Sequence, residues 1–130
     1  MTIPILKLDH TLIASLQSAV MDQELTQLLD ELARRVGDIE ATGVVLDITA
    51  VDVVDSFTLR TLIDIAGVTR LRGAETVIVG MPPDVAFSMI KLGLRLDGVA
   101  TALDLEGGLA LLADRSAPAG RSESEDADAG

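Results

Sequence analysis

Short apolar runs of strand length alternate with helical stripes along residues 3–114. Ile3–Leu8 and Thr11–Leu16 are two such runs, and the two residues between them, Asp9-His10, predict an opening hairpin. From Asp22 onward, Leu25, Leu28, Leu29, Leu32 and Val36 recur at the spacing of one helix face, while Glu24, Asp30, Glu31, Arg34 and Arg35 fall off it. This predicts an amphipathic helix capped by Asp22 and closed by Gly37. Val44–Ile48 is a β-branched run suited to a central strand buried on both sides. A second helix reads from Ser56 to about Arg72, with Ser56 at its N-cap and Gly73 as its stop. Thr76–Val79 forms another buried strand ended by Gly80. Pro82-Pro83 then leads into a short helix that begins at Pro83 or Asp84 and stops at Gly93. A last strand over Val99–Ala102 and a helix from about Asp104 to Ala113 complete the order β-β-α-β-α-β-α-β-α. That order predicts an α/β fold with a mostly parallel central sheet, opened by a β-hairpin and carrying four helices.

The pattern stops after Asp114. The segment RSAPAGRSESEDADAG has no large apolar side chain and cannot bury enough surface to offset its ordering entropy. Residues 1–114 are therefore expected to fold as one domain and residues 115–130 to form a disordered acidic tail. The whole chain of 130 residues has a net charge of −11, and the tail holds two arginines and four acids. Most of the acidity thus belongs to the domain. An acidic surface repels nucleic-acid backbones and anionic membranes. With no Trp or Tyr and two Phe, Phe57 and Phe87, stacking platforms for single strands are lacking and the core must be aliphatic. No basic and apolar leader opens the chain, and the longest uncharged stretch, His10–Met21, is shorter than the roughly 20 apolar residues of a membrane helix. The expected location is the cytoplasm.

Catalytic chemistry finds few groups to use. Cysteine is absent and His10 is the single histidine, placed in the predicted hairpin turn. Thiolate nucleophiles and zinc sites of shared His or Cys ligands are thereby excluded, and a Ser-His-Asp arrangement would have one possible base. Neither G-x-x-x-x-G-K-[ST] nor G-x-G-x-x-G occurs, and the adjacent Gly107-Gly108 falls in the last predicted helix. No catalytic residue, metal or cofactor is expected.

One segment differs from this background. In Asp47–Leu59 a buried strand runs into a loop with three further features of note: Asp52, Asp55 and the hydroxyl of Ser56 at the start of a long helix. Ser56 has two readings, an ordinary capping serine and a regulatory phosphoacceptor. A phosphate there would bring about −1.5 to −2 charge, eased by the positive end of the helix and opposed by Asp52 and Asp55.

Asp55-Ser56-Phe57, following Val44-Val45-Leu46-Asp47, resembles the phosphorylation loop of the STAS domains, the bacterial anti-sigma factor antagonists. Small monomeric antagonists tend to read Asp-Ser-Ser/Thr-Gly-Leu at this point, whereas Phe57-Thr58-Leu59 follows here. The Ser-Phe pair is similar to the stressosome branch. So is Gly80-Met81-Pro82-Pro83-Asp84-Val85-Ala86, continuing to Ile90-Lys91-Leu92-Gly93, and so is Arg72-Gly73-Ala74. The resemblance spans about residues 3–112. It implies a short, non-enzymatic scaffold of the RsbS type that sequesters a switch serine/threonine kinase of the RsbT type and releases it when phosphorylated.

On this resemblance Ser56 is the phosphoacceptor, and Asp55, Ser56, Phe57 and Thr58 present the kinase-docking surface. Val79 stands where related members carry a threonine, so one modifiable site is implied. The implied partners are a sensor-bearing STAS paralogue of the RsbR type, the kinase, a serine phosphatase, and further copies in a large assembly. Since the first strand begins at residue 3, no sensor domain is expected ahead of it. Two other readings stand beside this one. The chain could act directly, as a monomer, on an anti-sigma kinase. It could also be an α/β enzyme holding a small ligand at the strand carboxyl ends, near Asp47 and Ser56.

Overall fold

In a computed structural model, residues 3–93 and 99–115 are described. Their elements are β1 (Ile5–Leu8), β2 (Thr11–Ser15), α1 (Asp22–Ile39), β3 (Gly43–Asp47), α2 (Ser56–Leu71), β4 (Glu75–Val79), α3 (Pro83–Leu92), β5 (Ala100–Ala102) and α4 (Leu105–Arg115). The five strands lie in the order β1-β2-β3-β4-β5. β1 pairs with β2 antiparallel, and every later pairing is parallel. Each parallel step moves in the same direction across the sheet, and right-handed crossovers then bring α1, α2 and α3 to one face. The α/β architecture with an opening hairpin and four helices is the expected one. The hairpin turns at Asp9-His10, with Asp9 at φ 55 in the left-handed region that aspartate tolerates.

Side-chain alternation along the central strands explains the two cores. Leu12, Ala14, Val44, Leu46 and Ile78 face α1 and α2 and pack with Leu25, Leu28, Leu32, Val36, Leu62 and Ile65. The intervening Ile13, Val45, Val77 and Val79 point to the other side, where Leu112 of α4 covers them. Gly108 allows α4 to come this close: a Cβ there would stand 2.8 Å from Val79 Cγ2. Gly108 thus marks close helix–sheet packing.

Four expected boundaries change. The N-cap of α1 is Met21, not Asp22, because the Glu24 carboxylate reaches back and accepts from the Met21 N–H at 2.9 Å. The same helix runs through Gly37 to Ile39 and ends on Glu40, whose backbone is left-handed at φ 54. Gly37 is a contact position, over which the Arg72 guanidinium lies. In α2 the cap is Asp55 and Ser56 is the first helical residue. Both Asp and Ser are good caps, and the extended Asp55 backbone (φ −90, ψ 179) with its side-chain bond to the Thr58 N–H settles which one serves. α4 continues to Arg115, one residue past the expected end of the domain. The remainder of the acidic tail, residues 116–130, lies outside the described residues.

Candidate functional site

The carboxyl ends of the parallel strands gather four loops at one end of the sheet. This is where open α/β sheets place their binding sites. The segment Ile48–Asp55 is fixed there by its own burial and by backbone bonds. Ile48 and Val51 are buried, and the Ile48 N–H donates to Val79 O at 2.9 Å. The Val51 N–H closes a turn onto Ile48 O, and the Asp52 N–H donates to Ser18 O at 3.0 Å, tying this loop to the one before α1. The Asp47 carboxylate accepts from the Thr49 N–H at 2.9 Å, so Asp47 serves the turn. From this frame Asp52, Val53, Asp55, Ser56 and Phe57 stand exposed.

At the start of α2, Asp55 and Ser56 have different tasks. The Asp55 carboxylate accepts from the Thr58 N–H at 2.8 Å, and this bond, with a further one from the Thr58 side chain, holds its pKa below the ordinary 3.8. Ser56 takes no part in the cap. Its hydroxyl stands exposed at the first helical position, beside the positive end of the helix macrodipole. Phe57 is 40% exposed, an uncommon position for one of the chain's two aromatic rings. Thr58 is buried, with 4% of its surface exposed, and lies beneath the group rather than on it. Of the four expected docking residues the structure therefore brings three to the surface. His10 lies exposed in the hairpin turn at the opposite end of the sheet, where its carbonyl accepts from the Thr42 N–H.

A second wall faces this loop. The β4–α3 connection approaches it at Gly80, whose φ of 84 is left-handed and whose Cβ, if present, would lie 2.9 Å from the Thr49 Cα. Only glycine satisfies both conditions. α3 then packs on α2 through Leu59, Val85 and Met89. Between the two segments lies a cleft of about 330 Å³ lined by Asp52, Val53, Val54, Pro82, Asp84, Val85 and Ser88. The pattern of apolar positions predicts α3 but neither this cleft nor which face of α3 is outward, because a ten-residue helix has too few turns to separate an outward apolar face from a buried one. Among the described residues, no cluster of three or more His, Cys, Asp or Glu could hold a metal ion, and no helix is long and apolar enough to cross a membrane.

The STAS domain family model matches residues 2–105. The chain belongs to the STAS domain family. Among solved structures, this STAS domain is similar to a Moorella thermoacetica RsbS variant in which one serine is replaced by glutamate. The two are 37% identical with a TM-score of 0.78, over 88% of this chain and 97% of that one. It is equally similar, at 37% identity and a TM-score of 0.77, to a chain from the molecular architecture of the stressosome, a signal integration and transduction hub. That match covers 88% of this chain and all of the other. A curated relative, the RsbT co-antagonist protein RsbRD of Bacillus subtilis (strain 168), is 30% identical over 83 residues. The match takes in 64% of this chain and 30% of that protein's own length. The resemblance to stressosome STAS proteins read from Asp55-Ser56-Phe57 and the Gly80–Gly93 segment is thus met by whole-chain likeness.

Proposed function

We propose that this STAS domain is a non-enzymatic stressosome scaffold and antagonist. In this reading it holds a switch serine/threonine kinase of the RsbT type at the start of α2 and releases it when Ser56 is phosphorylated. The observation that carries the reading is the division of labour between Asp55 and Ser56. Because Asp55 caps the helix, the Ser56 hydroxyl is exposed and free of any structural duty, so a phosphate can be added there while α2 stays folded. The amide end of the helix would ease the new charge, and Asp52 and Asp55 would keep it directed outward. The dianion would then occupy the contact itself. The similarity to an RsbS structure with glutamate in place of a serine supports the reading, since glutamate imitates part of a phosphoserine's charge. Sensor-bearing paralogues of the RsbR type, further copies of this chain and a serine phosphatase that resets Ser56 complete the proposed partners.

The test is capture of a purified RsbT-type kinase by wild type, Ser56→Ala and Ser56→Glu, with mass spectrometry of phosphopeptides after incubation with ATP. Expected outcomes are phosphate at Ser56, retained capture by Ser56→Ala, and affinity lowered about 100-fold by Ser56→Glu, equivalent to roughly 2.7 kcal/mol. Phosphate elsewhere with none at Ser56, or equal capture by all three proteins, would overturn the proposal.

A further inference from the structure

α3 is more apolar than its burial requires. Of its ten residues, Pro83–Leu92, the polar ones are Asp84, Ser88 and Lys91, yet Val85 and Met89 alone are buried. Phe87 is 68% and Ile90 76% exposed; Phe87 and Ala86 lie three and four residues before Ile90, so all three share one outer face. The chain's two aromatic rings therefore both stand on the surface, one on each of the helices that meet at Leu59, Val85 and Met89. Aromatic side chains are concentrated at the centres of protein interfaces, where a large rigid surface is buried at small entropic cost.

The cleft beside this face adds charge to the description. Two carboxylates, Asp52 and Asp84, line it, with Val53, Val54, Pro82, Val85 and Ser88 between them. Neither is in an ion pair among the described residues. The basic residues of the adjoining helices, Arg60, Arg70 and Lys91, do not line the cleft. An occupant that brings positive charge is therefore favoured there. A second copy of a chain with net charge −11 is poorly suited to that, and a basic partner is favoured.

We infer that the partner engaged at Ser56 spreads across α3, packing on Phe87 and Ile90 and seating a lysine or arginine side chain in the Asp52–Asp84 cleft. The inference rests on the reading of Ser56 given above and is compatible with release by a negative charge. A kinase that phosphorylates Ser56 must bring the γ-phosphate of its nucleotide to the serine Oγ, so the part of the partner facing Ser56 is anionic. The part facing the cleft is cationic. Phosphate on Ser56 opposes the first contact while the second supplies the attraction.

The experiment measures affinity of a purified RsbT-type kinase, with a non-hydrolysable ATP analogue, for the full chain as wild type, Ser56→Glu, Phe87→Ala and Asp52→Asn/Asp84→Asn. Thermal melts confirm that each variant is folded, and light scattering gives its mass in solution. The expected result is at least a tenfold loss for Phe87→Ala, and for the asparagine pair a comparable loss with a weaker dependence on salt. Loss of binding by Ser56→Glu with wild-type affinity in both other variants overturns this inference and leaves the Ser56 reading standing. No binding by wild type overturns both. A change in mass for Phe87→Ala with unchanged kinase affinity assigns the face to contacts between copies, and the inference fails.

Discussion

α2 and α3 meet around Leu59, Val85 and Met89 but are built for opposite surroundings. α2 buries Thr58, Leu59, Thr61, Leu62, Ile65, Ala66 and Thr69 along its sixteen residues, so that it is held to the sheet from end to end. α3 buries Val85 and Met89 and turns Phe87 and Ile90 outward. Hydrophobic content does not separate the two helices; the direction of that content does. A helix anchored along its length can hold a modifiable residue at its tip in a fixed place. A helix anchored at two positions presents surface, and the cleft between them joins a positioned hydroxyl to an apolar face.

The largest difference between the helices should appear at the far end of α2. The Thr69 hydroxyl lies 2.9 Å from Ile65 O and 2.8 Å from the Thr76 hydroxyl of β4, and both threonines are buried. A hydroxyl has one proton, so when Thr69 donates to the carbonyl, Thr76 donates to Thr69. Thr69→Val leaves the Thr76 hydroxyl buried without its acceptor, at a cost of about 1–3 kcal/mol. Thr69→Val/Thr76→Val should regain part of that loss, because both polar groups are then gone. Chemical denaturation of the two variants checks the cycle, and a double variant no more stable than the single one would show that the pair does not fasten α2 to β4.

How far these features were legible in the sequence depended on whether a local signal had a single structural meaning. Val44, Val45 and Leu46 could hardly be other than a buried strand, and the hairpin turned where Asp9-His10 interrupted two apolar runs. Ser56 is the cap the sequence predicts, but Asp55 serves, because either residue type can cap a helix and the choice rests on backbone angles and on the reach to Thr58. Gly37 has the sequence signature of a stop, whereas the neighbouring Arg72, distant in sequence, explains why a glycine stands inside the helix. The site itself was half legible. Ser56 stood out by its position after a strand, while the opposing wall at Asp84 and the apolar face of Phe87 and Ile90 beside it became visible only when β4 placed α3 beside α2.

A smaller effect separates the cap from the modifiable serine. Asp55→Ala removes the acceptor of the Thr58 N–H and should destabilise the protein by about 0.5–2 kcal/mol. Its pH dependence follows from the lowered pKa of Asp55. The folded value lies below the unfolded one, so the contribution is present in full above about the ordinary 3.8 and is lost as pH falls through the lowered folded value. Wild type and Asp55→Ala should therefore converge in stability in strong acid and diverge above that window. Parallel acid titrations of thermal stability would instead point to a cap held by some other group.

The smallest expected effect lies on α3 and would sharpen the contrast most. Ile90 is 76% exposed, so replacing it removes little apolar surface that folding had buried. Ile90→Ser should change stability by no more than about 0.5 kcal/mol, most of it from the lower hydrophobic contact with neighbouring exposed side chains. Serine and isoleucine have similar helix propensities, so the backbone contributes little to the difference. A loss of 2 kcal/mol or more in denaturant titration, on the scale of a buried aliphatic truncation, would mean that this face is packed within the monomer. α3 would then be an anchored helix like α2, and its apolar residues would belong to the core and not to a partner.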